Sequence, residues 1–171
     1  MRTVPVSEVS GDLVVVLANV RDPGNAGTLV RSAVAAGASA VVFCSGSVDP
    51  FNPKTVRSTA GLLFHVDVSA GVALDAALSE LREMGFLILG ADASSSKAPD
   101  EVDLSERVAL VLGNESWGIE ETSSRLLDDI VGIPMPGPAE SLNVGIAGSV
   151  LLFEAVRQRR AADSSRTRTR R

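Results

Sequence analysis

Three short stretches of this chain gather side chains that could bind a ligand or help move a proton. The first, Ile133–Gly145, reads IPMPGPAESLNVG. An apolar strand end runs into Pro134, Pro136 and Pro138, with Gly137 among them. Proline lacks a backbone N–H and fixes its own φ, so neither a helix nor a central strand crosses such a stretch. The loop is stiff. It presents a carboxylate (Glu140), a hydroxyl (Ser141) and an amide (Asn143) just ahead of a long apolar segment. Stiff loops with convergent polar groups between a strand and a helix are where α/β proteins hold ligands. A proline-stiffened turn with a Ser or Asn helix cap accounts for the same letters. Spacing alone leaves both readings open.

The second stretch is Gly24–Ala36, which reads as a helix. At 100° per residue, Asn25, Thr28, Arg31 and Ser32 fall within one arc, and Ala26, Leu29, Val30, Ala33 and Ala36 fill the other. An amide, two hydroxyls and a guanidinium share a face just after a buried strand. A plain solvated face would more usually carry Lys and Glu. The third stretch is Gly113–Gly118, GNESWG, again straight after an apolar strand.

Familiar sites are absent from the letters. There is no GxxxxGK[ST] phosphate loop, no GxGxxG after the first strand and no GxSxG nucleophile turn. One histidine, His65, and one cysteine, Cys44, exclude zinc cages and internal disulfides. Nothing calls for a metal. The lone histidine is more often structural than catalytic.

The elements that must position these stretches alternate along the chain. Leu13–Ala18, Ala40–Cys44, Phe64–Val68, Phe86–Ala91, Val108–Leu112 and Asp129–Ile133 read as strands, several of them continuous apolar runs of the buried parallel kind. Gly24–Ala36, Lys54–Ala60, Val72–Met84 and Val144–Arg160 read as helices, and Met1–Asp12 as a polar lead. The alternation predicts an α/β fold with a mainly parallel sheet flanked by helices. From Val144 to Val156 only Gly145, Gly148, Ser149 and Glu154 interrupt the apolar surface. A helix apolar nearly all round needs cover on more than one side, which predicts a homodimer through this C-terminal helix. Gly145 and Gly148 would then permit close helix approach.

The 171 residues suit one domain with a good core. Net charge is −5, unevenly spread. From Arg157 to Arg171 there are seven arginines and one acid, leaving an acidic body. Residues 1–160 are expected to form the domain, and 161–171 a disordered basic tail. Lys54 and Arg57 are further cations that could meet a phosphate or simply solubilise the surface. No apolar run reaches membrane-span length, and a cytoplasmic setting fits the single cysteine.

The stretches NVRDPGNAGTLVRSAVAAGA, LVLGNESWGIE and IPMPGPAESLNVGIAGSVLLFEAVR resemble, in order, the three motifs of the SpoU (TrmH-like) branch of the SPOUT RNA methyltransferases. The intervening SVDPFNPKTVRSTAGLLFHV is similar as well, so the resemblance covers about Leu13–Arg159. It implies a deep C-terminal trefoil knot, an exception to the rule that chains do not thread loops. It implies S-adenosyl-L-methionine as methyl donor, a ribose 2′-hydroxyl of RNA as acceptor (rRNA favoured over tRNA) and a homodimer. Carried over by motif, Asn25, Arg31, Glu115, Ser141 and Asn143 are the catalytic candidates. Leu112, Gly113, Asn114, Gly118, Ile133, Met135, Ser141, Leu142 and Asn143 are the cofactor-binding candidates.

The chemistry suits these types. A sulfonium is a good leaving group, whereas a ribose hydroxyl is a weak nucleophile that must be held in line and relieved of its proton. Arg31 is proposed in the family as the base. A guanidinium with pKa above ~12 serves that role poorly, so a phosphate clamp that also polarises the ribose oxygen is preferred here. The competing reading is an RNA-binding module of the same fold that needs a missing RNA-binding domain or partner for turnover. Many proteins of this branch carry such a domain ahead of the catalytic one.

Overall fold

The computed structural model describes residues 2–113 and 125–169. The core of the fold is a seven-stranded sheet, parallel at every pairing. Its strands are β1 (Arg2–Thr3), β2 (Leu13–Ala18), β3 (Ala40–Cys44), β4 (Asp67–Val72), β5 (Leu87–Ala91), β6 (Val108–Gly113) and β7 (Asp129–Val131), in the order β1-β4-β3-β2-β6-β5-β7. Among the described residues the α-helices are α1 (Pro23–Ala35), α2 (Pro53–Ser58), α3 (Leu74–Glu83) and α4 (Val144–Thr169).

β2 sits at the centre and is buried along its whole length. Its side chains alternate between two cores. Leu13, Val15 and Leu17 join Leu29, Val30 and Ala33 of α1 and Leu151, Leu152 and Ala155 of α4. Val14, Val16 and Ala18 join Ala77, Leu78 and Leu81 of α3. A strand covered on both faces must be apolar at every position, which is why LVVVLA carries no alternation. Each such fully buried aliphatic side chain contributes about 1.5–3 kcal/mol.

Because all strands run the same way, Ala18, Cys44, Ala91, Gly113 and Val131 end at one edge of the sheet. The order of connection reverses between β2 and β6, and crevices at such reversals are where open α/β sheets bind ligands.

The structure departs from the sequence expectations in three places. Met1–Asp12 is not a polar lead: Thr3 pairs with Val68, and Val4, Val6 and Val9 are buried in the core beneath α3. Single valines spaced by Pro5 and Gly11 carry no period, so nothing local marks them. His65 is not on a strand. It ends a 3-10 turn, Leu62–His65, whose Leu63 is fully buried and whose Phe64 and His65 are exposed.

The closing helix runs past Arg160 to Thr169, into the tail expected to be disordered. Ala161 and Ala162 favour helix, and the hydroxyls of Ser164 and Ser165 bond back to the carbonyls of Arg160 and Ala161. Two tail arginines are structural. Arg157 forks onto Glu154 at 2.8 Å. Arg159 donates to the carbonyls of Leu104, Asp12 and Glu106.

Candidate functional site

α1 starts at Pro23, one residue ahead of the sequence reading. Asp22 caps it, its carboxylate accepting from the Asn25 N–H at 2.8 Å, and Pro23 takes the first turn, where no N–H is needed. It stops at Gly37, whose φ of +76° suits glycine, with Gly37 N–H bonded to the Val34 carbonyl and Ala38 N–H to that of Ala33. Between these ends Ala26, Leu29, Val30 and Ala33 are buried, Asn25 and Ser32 half-buried, and Thr28 and Arg31 exposed. The polar arc read from the period therefore faces outward.

α4 packs along one side of that arc. Ser32 and Ser149 hydroxyls meet at 2.7 Å, and Ser149 donates to the Gly145 carbonyl at 2.6 Å. A Cβ on Gly148 would lie 2.3 Å from Leu29 and 2.6 Å from Leu112, and one on Gly145 would lie 3.2 Å from Thr28. The two glycines expected to serve a subunit contact thus serve this one, inside the chain. The side of α4 left uncovered carries Ile146, Val150 and Phe153, which are 53%, 43% and 52% exposed.

Asn143 joins the two polar stretches. Its Oδ1 accepts from Gly145 N–H at 2.9 Å, capping α4, while its Nδ2 donates to Asn25 Oδ1 at 2.8 Å. The capping reading of the proline loop therefore holds, and the same Asn143 side chain also meets the polar arc of α1.

Beside Asn143 lies a cavity of about 230 Å³ over the ends of β5, β6 and β7. Leu112, Gly113, Ile133, Met135, Ser141 and Leu142 line it, as do Val144, Ala147 and Leu151 of α4. Of the residues expected to hold a cofactor, six line the cavity. Asn143 stands next to it, and Asn114 and Gly118 lie outside the described residues, as does Glu115. Glu140 is exposed and does not line the cavity.

One lining group escaped the sequence reading. Asp92 follows β5, flanked by Ala91 and Ala93. The Ser94 N–H and then the Ser94 hydroxyl, both at 2.7 Å, hold its carboxyl below the usual carboxylate range. An acid one residue past a buried parallel strand is the signal that would have found it. Cys44, by contrast, is buried at its strand end, and burial pushes its thiol up to about 12, which disfavours the reactive thiolate. Among the described residues no cluster of His, Cys, Asp and Glu could hold a metal ion, and no helix is long and apolar enough to cross a membrane.

Apolar walls with a few fixed polar groups suit an adenine-sized ligand, whereas the α1 arc offers to something larger and anionic an amide and a guanidinium that forms no ion pair among the described residues. Residues 12–153 match the SpoU rRNA Methylase family. The chain is 40% identical over 150 residues to a 23S rRNA (guanosine-2'-O-)-methyltransferase, RlmB, of Xanthomonas axonopodis pv. citri, covering 88% of this chain and 60% of that protein. It is 39% identical over 134 residues to the 23S rRNA (guanosine(2553)-2'-O)-methyltransferase RlmP of Bacillus subtilis, covering 78% and 54%. The chain thus spans little more than half the length of these curated relatives. Among solved structures, an AdoMet-bound rRNA methyltransferase from Sinorhizobium meliloti superposes with a TM-score of 0.83 at 35% identity, covering 91% of this chain and 61% of that one.

Proposed function

Because this chain belongs to the SpoU rRNA methylase family, we propose that it moves a methyl group from S-adenosylmethionine to a ribose 2′-hydroxyl of ribosomal RNA. The observation that carries this reading is the Asn143 side chain, which caps α4 and binds Asn25. It fastens the apolar cavity to the polar arc of α1, so that a methyl donor and a nucleic-acid acceptor can meet across one side chain.

The cavity suits the donor. Leu112, Ile133, Met135 and Leu142 offer apolar walls for an adenine, the strand ends offer backbone N–H and C=O groups, and the Asp92 carboxylate can accept from ribose hydroxyls or an amino group. S-adenosylmethionine supplies an electrophilic methyl group on a positively charged sulfur. The chain's own residues supply position and charge. Ser141 and Asn143 orient the target ribose at the cavity mouth. Asn25 fixes the Asn143 amide. Arg31, exposed on α1, binds the target phosphate and stabilises the negative charge that grows on the 2′-oxygen as its proton passes to solvent water. Glu115, Asn114 and Gly118 complete the set by their motif positions.

Further parts of the reading come with the family. The chain beyond β6 threads a deep trefoil knot around the cavity. Two copies pair through the exposed Ile146, Val150 and Phe153 of α4. Residues 1–160 form the catalytic domain, and the setting is cytoplasmic. A second reading keeps fold and cofactor but requires a further RNA-binding segment or partner for turnover; it draws on the greater length of the relatives.

Calorimetry with S-adenosylmethionine, followed by methyl transfer to total RNA with mass mapping of the product, tests the proposal. Micromolar binding and a 2′-O-methylated rRNA nucleotide are expected. No binding below millimolar sinks both readings, and binding without transfer selects the second. For Arg31, a pH–rate profile of Arg31→Lys decides between clamp and base. Restored single-turnover chemistry with a new basic limb would overturn the clamp.

A further inference from the structure

α1 lies between two neighbours. α4 takes one flank, and α2 takes the other: the Ser58 hydroxyl donates to the Pro23 carbonyl at 2.7 Å, and a Cβ on Gly27 would fall 2.0 Å from Ser58 Oγ. The exposed side of α2 therefore continues the surface that carries Arg31. Exposed residues on α2 and on the segments either side of it form this surface. Phe51 is 42% exposed, Lys54 and Arg57 are exposed, and Phe64, on the turn that follows, is 54% exposed.

Two features set this strip apart. Large aromatics are scarce in the chain, and Phe43 and Phe86 are buried as usual. Phe51 and Phe64 stay outside although the loop that bears them is well anchored. Asp49 Oδ1 accepts from the Phe51 N–H at 2.8 Å, Asn52 caps α2, and Leu63 is buried in the core. The charge is also unusual. The body is acidic, yet from Pro23 to Val66 the sequence holds a single acid, Asp49. Among the described residues Arg31, Lys54 and Arg57 form no ion pair. Unpaired cations interleaved with exposed aromatic rings on a rigid surface are what single-stranded nucleic acid binds: phosphates take the cations and unstacked bases take the rings.

We propose that Phe51, Lys54, Arg57 and Phe64 form a docking strip for the unpaired RNA flanking the methylated nucleotide, with phosphates on Lys54 and Arg57 and bases stacked on Phe51 and Phe64. The inference rests on the RNA-methyltransferase reading above and adds the surface by which RNA reaches the site. A second copy of the chain is a poorer occupant, because lysine is depleted from protein interface cores and the exposed aliphatic stripe of α4 already offers an apolar contact.

The test uses the full chain and a fluorescein-labelled single-stranded RNA of mixed sequence, with binding read by anisotropy across a salt series. Calorimetry with S-adenosylmethionine and sedimentation velocity run alongside. Phe51→Ala with Phe64→Ala should weaken RNA binding at least about fivefold, and Phe51→Trp with Phe64→Trp should retain it. Lys54→Gln with Arg57→Gln should lower the slope of log K against log salt by about 0.7 for each lost contact. Cofactor affinity and sedimentation should not change in any variant. If parent and variants bind RNA alike while the parent binds cofactor, this inference alone fails. It fails equally if the RNA defect comes with dissociation of a dimer, which would assign the strip to a subunit contact. A parent that binds neither cofactor nor RNA overturns the underlying reading as well.

Discussion

Among the described residues α3 and the segment bearing Val4, Val6 and Val9 cover one face of the sheet, whereas α1, α2 and α4 share the other. α3 is amphipathic in the ordinary way. Ala77, Leu78 and Leu81 are buried, and Asp75, Arg82 and Glu83 point to solvent. Its Arg82 donates to the Leu126 carbonyl and to Asp128. On the opposite face α1 has no acidic residue, α4 exposes an apolar stripe, and hydroxyl and amide pairs tie one helix to the other. The first face obeys only the requirement to fold. The second keeps polar groups half-buried and apolar groups exposed, which is the pattern of a surface shaped by what it binds.

If that contrast is correct, damage to the two faces separates stability from activity. Leu78→Ala, on the α3 face, should cost about 2–5 kcal/mol in denaturant unfolding. Cofactor affinity, measured by calorimetry where the variant is still folded, should stay within twofold. Gly148→Ala, on the other face, should cost less, about 1–3 kcal/mol, because Leu29 and Leu112 must shift to admit the methyl group. It should nonetheless cut cofactor affinity and methyl transfer at least tenfold, since Leu112 lines the cavity. Equal effects on affinity from the two variants would break the comparison.

Ser149→Ala sharpens it. Loss of the bond to Ser32 should lower stability by about 1 kcal/mol and slow transfer modestly, read in single-turnover assays. The smallest effect is expected at the sheet edge, where Lys97 pairs with Asp129. The Lys97 hydrogen bond, with help from the Ile130 N–H, holds the Asp129 carboxyl below its ordinary value. A depressed carboxyl contributes stability that is present above the unfolded-state pKa and lost as pH falls through the folded-state value. Lys97→Met should therefore lower stability by no more than about 1 kcal/mol near neutral pH and flatten the fall of stability below about pH 4. Transfer should not change.

What the sequence disclosed followed the physics of each signal. β2 and β3 were readable to the residue, because strands buried on both faces are unbroken apolar runs. α1 was readable to within a residue at each end, with its polar arc, because Gly37 stops it and the 3.6 period marks its faces. The lining of the cavity by Ile133, Met135, Ser141 and Leu142 was reached through motif resemblance rather than through period. Val4, Val6 and Val9 were illegible because isolated valines in an irregular segment carry no pattern. Phe64–Val68 looked like a strand, but Phe64 and His65 close a 3-10 turn, since Leu63 is drawn into the core beneath α1, and the strand begins only at Asp67. The partner of Asn143 was beyond reach too: Asn25 stands 118 positions away, and no local rule pairs them.

The central place of β2 has a consequence for the birth of the chain. During synthesis β2 can pair with β3 soon after both emerge, but its other edge waits for β6, which begins at Val108. At ordinary rates of translation that wait is on the order of ten seconds. For that time a wholly apolar strand edge of six residues is open to whatever strand comes near, including one from a neighbouring nascent chain. The strand that best organises the finished protein is thus the part most in need of shelter at the ribosome.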